Sequence, residues 1–217
     1  MARAPSAAGK TRLSPYLSAA RLTALRAALL ADTLDVVAAA AHAGGVDAVL
    51  FFTPAGAESE VAALTPHRFQ GLCQGDGDLG QRMRTAFEEL LGPRQYGAAM
   101  LVGTDIPLLS ARHVLDACDT LHVSGGLVLG PADDGGYYLI GMTKMHGGLF
   151  EKIEWGTDSV LTDTLRAAER LGIETRLIGG AYDVDRMEDL RRLERDLPSM
   201  ASGIAPHVRR WFAEGGL

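Results

Sequence analysis

Apolar positions along this chain fall into two kinds of run, and the two alternate. Over residues 18–42, Leu22, Leu25, Leu29, Thr33 and Val36 recur at helical spacing and Gly44-Gly45 supplies a stop, which predicts a helix. Residues 47–53 form a short continuous apolar run ended by Pro54, the pattern of a strand covered on both faces. A short helix over 58–64 stops before Pro66, and 68–74 is a weaker strand candidate. A glycine-rich turn then leads into a helix over 79–91. Residues 98–102 read as a second buried strand, broken at Gly103, with a helix over 111–122 behind it.

Residues 126–130 and 137–141 predict two further strands. The gap between them is too short for a crossover helix, so the second must run antiparallel to the first. Between 143 and 156 the pattern is irregular, with one short amphipathic piece at 149–153. Thr157 is expected to cap a helix reaching Leu171, with Leu161, Thr164, Leu165, Ala168 and Leu171 on its inner face and Gly172 closing it. A last strand over 174–178 precedes a helix over 187–197 that turns Leu190, Leu193 and Leu197 inward. From Pro198 the pattern fades, though Val208, Trp211 and Phe212 suit a docked final turn.

Alternating strands and helices define an α/β class, expected as a three-layer αβα sandwich around a mixed, mostly parallel, Rossmann-like sheet. With no internal repeat and no dividing linker, one domain over 1–217 is expected, its tail from 198 peripheral. Composition changes this little: 47% hydrophobic and 22% charged residues are ordinary for a globular chain. A net charge of -6 argues against a nucleic-acid or membrane-surface binder, which needs a basic face. Cys73 and Cys118 lack metal spacing and are expected as buried thiols, consistent with a reducing cytoplasm. No apolar run is long enough for a membrane span and no secretion signal is evident, so a cytoplasmic protein is expected.

Candidate chemistry concentrates in loops that follow strands or open the chain. In the stretch Met100-Leu101-Val102-Gly103-Thr104-Asp105-Ile106-Pro107, Asp105 stands just past the carboxyl end of a strand, where α/β sheets bind ligands. Capping of the next turn is the plain alternative. Gly9-Lys10-Thr11-Arg12 places two cations behind a loop of small residues, a phosphate cradle or else a solvated surface loop. It is no Walker A motif: Ala4 stands where a glycine is needed, and Pro15 breaks the helix that must follow.

The turn Gly75-Asp76-Gly77-Asp78-Leu79-Gly80 lets backbone approach a flat ligand, or is a plain turn with Asp78 as helix cap. In Asp133-Asp134-Gly135-Gly136-Tyr137-Tyr138, two carboxylates precede two glycines where a single Asp-Gly would make the turn, which points to function. Asp183-Val184-Asp185 aims two carboxylates the same way in extended backbone. Asp105 and one of the late aspartates suffice for Mg2+ or Mn2+, which fills its remaining positions with water and phosphate oxygens. The histidines show no ligand spacing, and His42, His113 and His122 read as helix-face residues.

Taken together these motifs resemble the bacterial radical-SAM/selenodomain-associated transferase 1 family, glycosyltransferases of the nucleotide-diphospho-sugar transferase fold. The resemblance rests on Ala2-Arg3-Ala4-Pro5 with Lys10-Thr11-Arg12-Leu13, on Gly77-Asp78-Leu79-Gly80-Gln81-Arg82-Met83, and on Gly103-Thr104-Asp105-Ile106-Pro107. It continues through Gly130-Pro131-Ala132-Asp133-Asp134-Gly135-Gly136-Tyr137-Tyr138, Trp155-Gly156-Thr157-Asp158 and Tyr182-Asp183-Val184-Asp185. The resemblance implies Lys10, Arg12, Gly77 and Gly80 on the donor and its phosphates, with Asp105 and Asp185 holding the metal. It implies Gly135, Gly136, Tyr137, Trp155 and Thr157 on the acceptor side, with Asp134 as candidate general base.

Two departures stand out. Only Met1 precedes Ala2-Arg3-Ala4-Pro5 where the family has an apolar strand, so a truncated first strand or an upstream start is expected. Arg186-Met187 also follows Asp185 where relatives often carry Thr-Pro. The implied reaction is metal-dependent glycosyl transfer from a nucleotide-sugar to a small-molecule acceptor, with oligomeric state left open. The alternatives are nucleotidyl transfer from an NTP to a phosphorylated acceptor, and a silent nucleotide-binding homologue.

Overall fold

A computed structural model describes residues 1–66 and 69–215. Its α/β elements form two compact units, each with its own sheet. The first unit gathers three stretches of chain, Met1–Cys73, Thr104–Ala111 and everything from Tyr182 onward.

Its sheet is wholly parallel: β1 (Ala2–Arg3) and β3 (Gln70–Cys73) flank β2 (Val49–Thr53). The opening residues, expected as loop, thus contribute a two-residue strand registered Ala2 to Phe52. Ala4 N–H extends that pairing onto Thr53 O at 2.8 Å. β2 buries Leu50, Phe51 and Phe52, as a central strand must. β3 is narrower than the expected 68–74, and Arg68 lies outside the described residues.

Helix α1 (Ala19–Gly44) starts where Ser18 Oγ accepts Arg21 N–H at 3.3 Å and ends at Gly45, whose left-handed φ of 65° a glycine tolerates. One face of α1 sends Leu30 and Leu34 onto Leu50, Phe52 and Val61 of β2 and of α2 (Glu58–Leu64). Another sends Leu25 and Leu29 into a cluster with Val184, Leu190, Leu193, Val208 and Trp211. Two buried faces leave α1 without a clean polar side.

The chain's tail completes that second cluster. After α6 (Met187–Asp196) and a single 3-10 turn, α7 (Pro206–Ala213) buries Val208 and Trp211. Full burial of such side chains is worth ~1.5–3 kcal/mol each, so Val208 and Trp211 belong to the core of this unit, while most of the described residues after Pro198 stay exposed or half-buried.

The second unit holds Gln74–Gly103 and Arg112–Ala181. Its strands are β4 (Ala99–Val102), β5 (Leu127–Pro131), β6 (Tyr137–Met142) and β7 (Thr175–Leu177), in the order β4-β6-β5-β7. As the short connection required, β6 runs antiparallel to β5, from Leu127 opposite Met142 up to an irregularity at Gly130 and Pro131. β7 pairs parallel to β5. The helices are α3 (Leu79–Leu91), α4 (Ala111–Ser124) and α5 (Val160–Arg170), with a 3-10 turn at Gly147–Phe150.

Several expectations shift. α5 begins at Val160 after Ser159, not after Thr157, and it buries Val160, Thr164, Ala167 and Ala168 while Leu171 stays 48% exposed. Cys73 is exposed on the edge strand β3 and Cys118 is only partly buried, so neither is a core thiol; neither forms a disulfide.

Candidate functional site

In the first unit, Lys10 sits in left-handed backbone at φ 49° with its side chain only 6% exposed. Its ammonium donates to Val184 O at 2.5 Å and to Asp185 Oδ1 at 3.0 Å, and lies 3.2 Å from Asp105 Oδ2. Two hydrogen bonds and one further ion-pair contact therefore surround the ammonium. Burial alone would lower the pKa of Lys10, but Asp105 and Asp185, by charge and hydrogen bond, together outweigh it and raise the value. The lysine is a fixed cation.

The main chain that carries each carboxylate is held in place. Val184 N–H donates to Asp105 O at 3.0 Å, lacing the turn after Gly103 to the segment that carries Asp185. Asp189, in the first turn of α6, accepts from Asp185 N–H at 3.0 Å and Arg186 N–H at 2.7 Å through one oxygen. A carboxylate at a helix N-terminus thus also sets the direction of Asp185. Arg12 Nη1 approaches Asp185 Oδ2 at 3.9 Å from a largely exposed position.

The loop between β1 and Lys10 is clasped by residues that sequence reasoning missed. Arg26 of α1 donates to Ala4 O at 2.7 Å and to Ala7 O, and Arg3 donates to Ala8 O at 2.6 Å. Glu60 of α2 takes Ser6 N–H at 2.7 Å and the Ser6 hydroxyl at 2.5 Å. Arg26 has its pKa lowered first by burial and then by Arg3, with Asp105 and Glu60 opposing. Its sequence signal was a cation four residues from both Leu22 and Leu30, on a helix with buried faces. Among the described residues no acceptor meets the N–H groups of Ala8, Gly9, Thr11 and Arg12. Amides that meet no protein acceptor thus lie on the loop that carries Lys10 and Arg12 and that Arg3 and Arg26 clasp.

Asp105 and Asp185 converge on one cation, the Lys10 ammonium, and remain 48% and 39% exposed. No three His, Cys, Asp or Glu side chains gather to hold a metal among the described residues. A carboxylate pair aimed at one cationic centre nevertheless fits Mg2+ or Mn2+, which take few protein ligands where phosphate supplies the rest.

In the second unit the candidate residues have identifiable structural partners. Asp78 Oδ1 accepts Gln81 N–H at 2.8 Å and Gln81 Oε1 accepts Asp78 N–H at 2.8 Å, a reciprocal cap for α3. Gly77, at φ 103°, precedes it, and a β-carbon there would strike Gln81 Oε1. At Gly80 a β-carbon would lie 2.3 Å from Trp155 Nε1. Gly80 and Trp155, read from sequence as donor and acceptor sides, are thus packed together. Trp155 also stacks on Phe150 with centroids 6.5 Å apart, and Phe150 lies 6.0 Å from Phe87.

The turn between β5 and β6 closes through Asp134 Oδ1, which accepts Gly136 N–H at 2.9 Å. Gly135 O accepts Leu161 N–H at 2.9 Å from the start of α5, an approach open only to glycine because a β-carbon would sit 2.2 Å from Asp158 O. Thr157 Oγ1 donates to Glu154 O at 2.8 Å and lies 3.0 Å from Ser159 Oγ, which donates to Asp163. The Tyr137 hydroxyl is buried beside Thr164 Oγ1, and neither oxygen reaches hydrogen-bonding geometry. Burial raises the Tyr137 pKa well above the phenol range despite the opposing effect of Thr164.

With a parallel three-stranded unit, a mixed four-stranded unit and chemistry in the loops beyond strand ends, the fold is of the nucleotide-diphospho-sugar transferase type. A protein of Desulfovibrio desulfuricans G20 provisionally named a nucleotide-diphospho-sugar transferase matches over 97% of this chain and 92% of its own, at 27% identity and a TM-score of 0.81. The chain belongs to the DUF2064 family, described as an uncharacterized protein conserved in bacteria, whose profile matches residues 18–157.

Lys10, Arg12 and Asp185 lie outside that matched stretch, so their grouping rests on geometry. A 4-diphosphocytidyl-2C-methyl-D-erythritol synthase of Anaerococcus prevotii DSM 20548 shares the fold at 15% identity and a TM-score of 0.57, over 78% of this chain and 86% of its own. A protein of Mycobacterium tuberculosis H37Rv does so at 19% and 0.52, over 88% and 94%. No curated protein matches the chain. No helix among the described residues is long and apolar enough to cross a membrane.

Proposed function

We propose that this chain is a metal-dependent transferase that uses a nucleotide-activated donor and moves a glycosyl group from a nucleotide-diphospho-sugar to a small-molecule acceptor. The observation that carries this reading is the meeting of Lys10 with Asp105 and Asp185, at 3.2 and 3.0 Å, beside a loop of open amides. The finer motif resemblance to the radical-SAM/selenodomain-associated transferase 1 family supports the same reading, as does the provisional name of the Desulfovibrio protein.

In this reading the donor diphosphate lies against Lys10, Arg12 and the amides of Ala8 and Gly9. Asp105 and Asp185 would hold Mg2+ or Mn2+, which would supply positive charge against the diphosphate. The acceptor hydroxyl oxygen bonds to the sugar's anomeric carbon as the bond from that carbon to the diphosphate oxygen breaks, its electron pair leaving with the nucleoside diphosphate. The candidate general base for the hydroxyl proton, carried by the motif resemblance, is Asp134, whose Oδ1 accepts Gly136 N–H. Gly135, Gly136, Tyr137, Trp155 and Thr157 shape the acceptor side. Cysteines outside any disulfide fit action in a reducing cytoplasm.

Incubation with nucleotide-sugars and with NTPs, each with Mg2+ or Mn2+, tests the proposal. Release of a nucleoside diphosphate from a sugar donor is expected. Pyrophosphate release from an NTP in the presence of a phosphorylated acceptor replaces the reading with nucleotidyl transfer, and absence of any metal-assisted nucleotide binding leaves a silent homologue.

A further inference from the structure

We propose that Lys10 is the resident counter-ion of the Asp105 and Asp185 pair, and that a divalent cation enters there only once a phosphate-bearing ligand has drawn the ammonium away. This rests on the donor reading above and deepens it: nucleotide binds first, metal second, and each strengthens the other.

The ammonium donates to Val184 O at 2.5 Å and Asp185 Oδ1 at 3.0 Å and forms an ion pair with Asp105 Oδ2 at 3.2 Å. The lysine side chain is 6% exposed, against 48% and 39% for the two carboxylates. The least hydrated charge in the group is therefore the cation, and it gives up its carboxylates only for another anion. Conversely, a divalent ion between the carboxylates would meet the ammonium at contact distance in partly dehydrated surroundings, where screening is weak. Metal and ammonium exclude one another at this spot.

A diphosphate resolves the conflict because it offers oxygens to both cations. Lys10 is the residue suited to this exchange. Arg3 and Arg26 are tied to loop carbonyls, and neither is in ion-pair contact with a carboxylate among the described residues, so neither is placed to trade positions with a metal. The left-handed backbone at Lys10, φ 49°, fixes where its side chain begins, and four rotatable bonds give the ammonium reach.

Mn2+ binding to the full chain, read by electron paramagnetic resonance of the unbound ion, tests this without reference to activity. Wild type is measured alone, with GDP and with UDP, against Asp105→Ala and nucleotide-only controls; Lys10→Met is measured alone. Wild-type affinity is expected to rise on the order of tenfold or more with the nucleotide it accepts. Lys10→Met is expected to bind Mn2+ without nucleotide by a similar factor more tightly than wild type. Equal Mn2+ affinity of wild type with and without bound nucleotide overturns the inference, as does a folded Lys10→Met no tighter than wild type. Lys10→Gln serves if Lys10→Met fails to fold, and the wild-type comparison stands by itself if both fail. If neither GDP nor UDP binds wild type, the donor reading falls, while Mn2+ binding by the lysine variants still decides the counter-ion.

Discussion

Asp105 and Asp185 carry much of their surface in solvent while Lys10 does not, and this asymmetry sets what each substitution does. Asp105→Ala removes one partner of a buried cation that keeps Asp185 and Val184 O, so stability is expected to fall by only about 1 kcal/mol, read in a urea melt. Metal-dependent nucleotide binding by the same variant is expected to vanish in calorimetry; unchanged affinity would remove the carboxylate from the site. Tyr137 behaves oppositely. Its hydroxyl is buried with no hydrogen bond, so Tyr137→Phe discards an unsatisfied group and is expected to leave the melting temperature unchanged or raised. A clear loss would mean that a water bridges it to Thr164. At this scale the sequence singled out Lys10, Arg12, Asp105 and Asp185 through their motifs taken together, since an Asp after a strand or a Lys behind a small-residue loop has plain structural uses when taken alone. It concealed Arg26, Glu60 and Asp189, because a charged side chain on a helix looks solvated until the loop it holds is in place.

Helices expose their caps through sequence only when the cap is local. Asp78 and Gln81 stand three residues apart and were legible as a turn entering α3, whereas α7 takes its cap from a residue far back in the chain. Asp32 of α1 accepts His207 N–H at 2.9 Å and Val208 N–H at 3.0 Å, the amides that open α7. Asp32→Ala is expected to cost ~1–2 kcal/mol in chemical denaturation and to loosen Trp211. Burial raises the Asp32 pKa, against the lowering effects of those two amides and of His207 charge. A folded pKa above the ordinary 3.8 means that its contribution to stability is full below that value and declines as pH rises through the folded pKa. Asp32→Asn, which cannot ionise, is therefore expected to gain on wild type as pH rises through that window, a trend that paired urea melts at a series of pH values would reveal. The contact of Gly80 with Trp155 also joins elements distant in sequence. Gly80→Ala is expected to cost ~1–3 kcal/mol through overpacking, with most of the loss absent when Trp155→Ala is already present.

A chain that returns to its first unit twice cannot complete that unit until its last segment is made, and local periodicity, which described the elements well, says nothing of which segments share a unit. Alternation established the α/β class, and the short gap before Tyr137 established the antiparallel β6. Periodicity carried no information about which strands hydrogen-bond, so the division into two sheets emerged only from coordinates. Likewise a net charge of -6 describes the whole chain and not the basic loop around Lys10. That grouping has a measurable consequence, because Lys10, Arg12, Asp105 and Asp185 all belong to the unit assembled from three segments. A ligand on those residues holds the beginning, middle and end of the chain together, and so opposes unfolding of the whole unit rather than fraying of one loop. Nucleotide with Mg2+ at a hundred times its dissociation constant adds ~2.7 kcal/mol by mass action. For a chain of this size each kcal/mol moves the midpoint by about 2–4 °C, so an increase of roughly 5–10 °C is expected in a thermal-shift screen over nucleoside diphosphates and their sugars. The shift should be lost in Asp105→Ala and should grow with nucleotide concentration. A screen in which no nucleotide moves the midpoint, at concentrations that saturate ordinary nucleotide-binding proteins, would leave the clustered charges as a structural tie between chain segments and nothing more.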